Sequence, residues 1–159
     1  MQIVTDAMID EVLEEQQDMD FWETERLIAQ MSKEQPAILA YLMASNEDAY
    51  NFDEKQLLLF LGVNISQMMK KQGKEFEQVS IDEIEEAQQR NIQMFEYLEE
   101  ESPGDFENTA AMIFKEYNQK NVLRYIVESL FEDDDPHIRP DRKGLIFFDL
   151  KTVLDCLDQ

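Results

Sequence analysis

A chain of 159 residues with a formal charge of −22, from 36 acidic and 14 basic side chains, suits a single hydrophobic core. An apolar content of 43% excludes an intrinsically disordered chain, and four glycines with four prolines are too few for a turn-rich β-protein. The acidic balance disfavours direct contact with nucleic-acid phosphates or anionic lipid, and the lone Cys156 and lone His137 exclude an intramolecular disulfide and a Cys/His zinc cluster.

In chain order, helices are expected near 5–18, 20–32, 36–45, 53–71, 80–100, 103–131 and 149–157. Asp20-Phe21-Trp22-Glu23 supplies a capping box for the second, with Phe21, Trp22, Leu27, Ile28 and Met31 read as core packing. Pro36–Ala44 (PAILAYLMA) is apolar nearly all round and is expected deep in the core. Phe52-Asp53-Glu54-Lys55-Gln56-Leu57 reads as an Asp53 cap, a Gln56 box partner and a Phe52–Leu57 staple. The Leu57–Leu61 run (LLLFL) that follows is expected in the core, with Leu42 and Leu59 at its centre.

Gln72–Gln78 reads as a loop. Ser80 and Glu83 then form a box, with Val79 and Ile84 as the staple. Ile84, Ala87, Asn91, Phe95 and Leu98 line one face of the helix they open. Ser102 and Pro103 start the sixth helix, whose stripe is Phe106, Ala110, Ile113 and Tyr117 and whose candidate break lies at Asn118–Asn121. Residues 144–148 (GLIFF) are the one candidate strand, and Asp149 is read as the cap of the last helix, with a Phe148–Val153 staple. The expected architecture is therefore all-α: a compact, single-domain bundle of about six to seven helices over residues 1–159, with no sizeable sheet.

Charge is uneven along this map. Residues 1–34 hold ten acids and two bases, and residues 73–103 hold the same, whereas 35–72 hold four and three. The near-neutral 35–72 stretch is expected to be a central hairpin wrapped by acidic outer helices. Residues 1–20 show no secretory pattern, and the longest strongly apolar run, Ala37–Ala44, falls well short of the roughly 20 residues a membrane span needs. The expected setting is a reducing cytoplasm, with no membrane partner.

The stretch FEDDDPHIRPDRKGLIFFD, 131–149, invites a cation-loop reading. A calcium-binding helical loop needs glycine at the sixth position and an acid at the twelfth. Counting from Asp133 gives Ile138 and Gly144, and counting from Asp135 gives Pro140 at the sixth, so the pattern fails. The alternative is an acidic helix stop, Asp133–Asp135, balanced by Arg139, Arg142 and Lys143, with Pro136 forbidding continuation and His137 an ordinary loop residue.

Carboxylates at helical spacing could hold Mg²⁺ in a helical phosphohydrolase: Glu11, Glu14 and Glu15, or Asp82, Glu83 and Glu86, with Glu132 and Asp135 as a second group. In so acidic a chain such spacings arise by chance, and a solvated face is the simpler reading. No nucleophile motif or phosphate-cradling glycine loop is present, and Cys156 reads as a small buried apolar residue. No catalytic, cofactor-binding or metal-ligating residue is singled out. The functional expectation is a non-enzymatic protein–protein interaction module, its partner another protein or a second copy in a homodimer. The alternatives are an acidic, DNA-mimicking inhibitor of a nucleic-acid-binding protein, and the metal-assisted phosphohydrolase.

Overall fold

The computed structural model describes residues 2–73, 76–101, 106–132 and 134–158, with the side chains of 99, 101, 106, 107, 109 and 110 left aside. These residues form eight α-helices and no strand: α1 Asp6–Gln17, α2 Phe21–Glu34, α3 Pro36–Ala44, α4 Phe52–Lys70, α5 Ile81–Glu101, α6 Phe106–Phe114, α7 Lys120–Phe131 and α8 Lys143–Leu157. The all-α expectation holds. The count exceeds it slightly, because the long sixth helix divides into α6 and α7 on either side of 115–119, next to the expected break.

The helix starts follow local chemistry. Thr5 caps α1 by accepting from Met8 N at 3.2 Å, and Asp20 caps α2 by accepting from Glu23 N at 2.8 Å. Ser80 caps α5 by accepting from Glu83 N at 3.1 Å, while Val79 and Ile84 are both buried. Ser80→Ala is expected to cost about 0.5–2 kcal/mol in chemical denaturation, because that amide loses its partner. The Ser102 cap lies outside the described residues.

The start of α4 corrects the sequence reading. The cap is Asn51, not Asp53: Asn51 Oδ1 accepts from Glu54 N at 2.8 Å, and Glu54 Oε1 accepts from Asn51 N at 2.9 Å. Phe52 is 73% exposed, so it does not staple the helix to Leu57.

The hub is α8, which packs against α4, α5 and α7; α1 lies on α4, and α3 lies on α2, α4 and α5. From Ile146 to Leu157 nearly every side chain of α8 is buried. The expected central hairpin at 35–72 is thus displaced from the centre by the last helix. The candidate strand at 144–148 is the first turn and a half of α8, and Asp149 stands inside that helix rather than capping it. Nor is Pro36–Ala44 buried all round: Ile38, Leu39 and Leu42 face the core, while Met43 is exposed. Leu42 is buried as expected, but Leu59 is only half-buried; Leu58 and Leu61 take the core side of α4.

The α3–α4 crossing is close. A Cβ on Gly62 would come within 2.5 Å of Leu42 Cδ1 and 2.6 Å of Cδ2. Gly62→Ala is expected to lose stability in a urea titration, because overpacking of about 1–3 kcal/mol exceeds the ~1 kcal/mol gained in helix propensity.

Long-range side-chain bonds tie the loops down. Gln35 Nε2 donates to Glu77 O at 3.0 Å and Gln35 Oε1 accepts from Val79 N at 2.8 Å, which holds the segment before α5 against the α2–α3 junction. Gln119 Oε1 accepts from Val4 N at 3.0 Å and Asn121 Nδ2 donates to Val4 O at 2.9 Å, pinning the N-terminal segment to the start of α7.

Candidate functional site

Two polar assemblies occupy the interior along α8. Asp149 is fully buried and accepts from Tyr41 Oη at 2.9 Å, Tyr50 Oη at 2.7 Å and Asn46 Nδ2 at 3.1 and 3.2 Å. Burial pushes its carboxyl above the ordinary range, and the hydrogen bonds from Tyr50, Tyr41, Asn46 and Ser45 oppose that rise. Asn46 adopts a left-handed backbone at φ 53°, which asparagine tolerates, and so aims its amide at α8. One turn on, Lys151 Nζ donates to Asn91 Oδ1 at 2.7 Å and Asp155 Oδ2 at 2.9 Å, and Tyr117 donates to Asp155. Asn91 Nδ2 closes the group by donating to Thr152 Oγ1 at 3.0 Å. Both assemblies join helices distant in sequence, and among the described residues no buried side-chain N or O atom lacks a hydrogen-bond partner.

The third charged group in the interior is Glu54, with an exposure of 0%, held by Arg139 through Nη2 at 2.6 Å and Nε at 3.0 and 3.2 Å and by the Arg139 backbone N–H at 2.9 Å. The Arg139 guanidinium, aided by the backbone N–H groups of Asn51 and Arg139, holds the Glu54 carboxyl down at about 2. This corrects the reading of 131–149. Arg139 serves Glu54, Arg142 donates to Ala49 O at 2.8 Å, and Lys143 lies over the Phe131 ring. Among the described residues these bases therefore bind elsewhere and form no ion pair with Asp134 or Asp135. Asp133 lies outside the described residues, Asp134 is exposed, and Asp135 accepts from His137 N at 2.9 Å. His137 is an exposed loop residue, 3.6 Å from Asp53.

The carboxylates proposed for Mg²⁺ are dispersed. Glu11 and Glu15 both bind Lys71 Nζ, at 3.0 and 2.6 Å, and Glu14 is exposed. Asp82 and Glu86 line an open depression on the outer face of α5; Glu132 lines another on α7. Among the described residues no group of three or more His, Cys, Asp or Glu is placed to hold a metal ion. Cys156 is buried, donates to Glu83 O at 3.8 Å, and has its thiol pushed up to about 12 by burial.

The surface carries what the interior does not explain. At the first turn of α2, Phe21 is 68% and Trp22 70% exposed, and their rings meet edge to face with centroids 5.6 Å apart. The expectation that they pack in the core is wrong. The helical phase already contains the signal: at about 100° per residue, Trp22 falls almost opposite the Leu27, Ile28 and Met31 stripe that α2 turns inward. A Leu–Ile–Met stripe can be satisfied while a tryptophan on the same helix remains in water.

Fold and surface together define an all-α chain with a buried polar axis and an exposed aromatic pair. No protein-family model, curated protein or solved structure matches it. No helix among the described residues is long and apolar enough to cross a membrane.

Proposed function

We propose that this chain is a non-enzymatic protein–protein interaction module working in the cytoplasm. The observation that carries the reading is the Phe21–Trp22 pair, two adjacent large aromatics held in water by a capped helix start. Tryptophan buries more apolar area per side chain than any other residue and dominates interface energetics once a partner covers it. Fixing Phe21 against Trp22 before binding lowers the ordering cost of association.

The test is capture of partners from the native cell by the wild type and by Phe21→Ala/Trp22→Ala. The double variant is expected to lose the partner while keeping its folded stability within about 0.5 kcal/mol, because both rings are solvent-exposed. Retention of the same partners by a folded double variant overturns the reading. Sedimentation of both proteins, run alongside, reports whether the partner is a second copy. If the captured protein binds nucleic acid, the surface serves the mimicry reading.

A further inference from the structure

The geometry points to a basic, arginine-bearing protein segment as what covers Phe21 and Trp22; this inference rests on the interaction-module reading and adds the partner's chemistry. Of the ten acids in residues 1–34, Asp6 reaches Arg124 at 3.8 Å, and Asp10 and Glu14 are exposed on α1 without an ion pair among the described residues; two other sets differ in their surroundings. Those turned towards α4 are neutralised within the chain: Glu11 and Glu15 by Lys71, and Glu34 by Lys70 at 2.9 Å. Those around the aromatic pair are not. Asp18 lies in the turn just before it, Glu23 follows it, and Glu25 stands three residues from Trp22 and four from Phe21, on the same side of the helix. Among the described residues none of these three carboxylates forms an ion pair. Asp20 is occupied by its cap, and Arg26, the base closest in sequence, turns its Nε to Trp22 O at 3.5 Å.

The rings follow the same division. Phe114, Tyr117 and Phe131 each carry a cation of this chain over the face, at 5.5, 5.1 and 5.9 Å. Among the described residues no lysine or arginine lies over Trp22, whose indole is the strongest cation–π acceptor of the four. An exposed indole braced by Phe21, with the unpaired Asp18, Glu23 and Glu25 close to it in sequence, is complementary to guanidinium groups. They can stack on the ring and bind carboxylate at the same time. A neutral apolar partner would instead leave Asp18, Glu23 and Glu25 desolvated and unpaired.

The test is calorimetric titration of the full chain with short Gly/Ser peptides carrying arginines, lysines or glutamines at matched positions. Trp22 is the only tryptophan, so its emission reports the contact directly. Expected are saturable binding of the arginine peptide with a shift in emission, weaker binding of the lysine peptide, none of the glutamine peptide, and weakening with added salt. Trp22→Ala, and Asp18→Asn/Glu23→Gln/Glu25→Gln together, are expected to weaken the arginine peptide by about tenfold or more. Asp82→Asn/Glu85→Gln/Glu86→Gln removes the same charge from the outer face of α5 and is expected to change affinity by about twofold at most. Equal weakening by the two triple variants, or binding of the glutamine peptide as tight as the arginine one, overturns the inference. If no peptide binds while the aromatic double variant still loses its cellular partner, the basic-partner inference falls and the module reading stands. If the double variant also keeps its partner, both fall.

Discussion

Arg139→Ala is expected to lower the melting temperature by roughly 10 °C, more than any exposed ion-pair deletion in this chain, because it leaves the Glu54 carboxylate buried without its counter-charge. Two backbone N–H groups, from Asn51 and residue 139, still reach Glu54 and keep the loss below total unfolding. Adding Glu54→Gln is expected to restore part of the loss, since glutamine can still close the box with Asn51 and carries no charge to strand. The pH dependence has a definite sign. The folded carboxyl titrates at about 2 and the ordinary value is 4.5, so the contribution is complete above about 4.5 and disappears as pH falls towards 2. Acid titrations of wild type and Arg139→Ala should therefore converge at low pH. Curves that stay parallel down to pH 2 would show that the pair does not depress Glu54.

What the sequence disclosed follows from the range of the forces involved. Asp20 and Ser80 were legible as caps because their acceptors meet amides three residues away. The Ile84–Leu98 stripe was legible because burial repeats with the helical period. Asn51 and Asp53 are each followed three residues on by a box partner, so local grammar could not choose between them. The choice is made by Arg139, which is 85 residues from Glu54 and draws that carboxylate inward. Trp22 was misread for a different reason. Its residue type favours burial, whereas helical phase places the ring on the outer side of α2. Asp149 was misread as a cap because aspartate before an apolar run usually is one. Here the helix passes straight through it, and its hydrogen-bond donors stand 99–108 residues away.

Asp149 also provides the test of the interior that contrasts most directly with Glu54. Asp149→Ala is expected to cost about 2–4 kcal/mol, because it removes the acceptor of the buried Tyr50 hydroxyl and the half-buried Tyr41 hydroxyl, at about 1–3 kcal/mol for a donor left buried, while the exposed Asn46 amide can turn to water. It also releases α3 and the 45–50 connection from α8, so the loss should appear as well in faster amide exchange at 41–50. Asp149→Asn keeps one acceptor oxygen and should cost less. The sign of its pH dependence is opposite to that of Glu54. Burial raises the folded carboxyl above its ordinary value of 3.8, so the folded protein holds that proton more tightly than the unfolded chain. The stabilising linkage is complete below about 3.8 and is lost as pH rises through the folded value. Measured against Asp149→Asn, which cannot titrate there, the wild type should therefore lose relative stability as pH climbs from 3.8. A relative gain over that range would mean that Tyr41, Tyr50 and Asn46 outweigh burial and that the carboxylate is held ionised in the core.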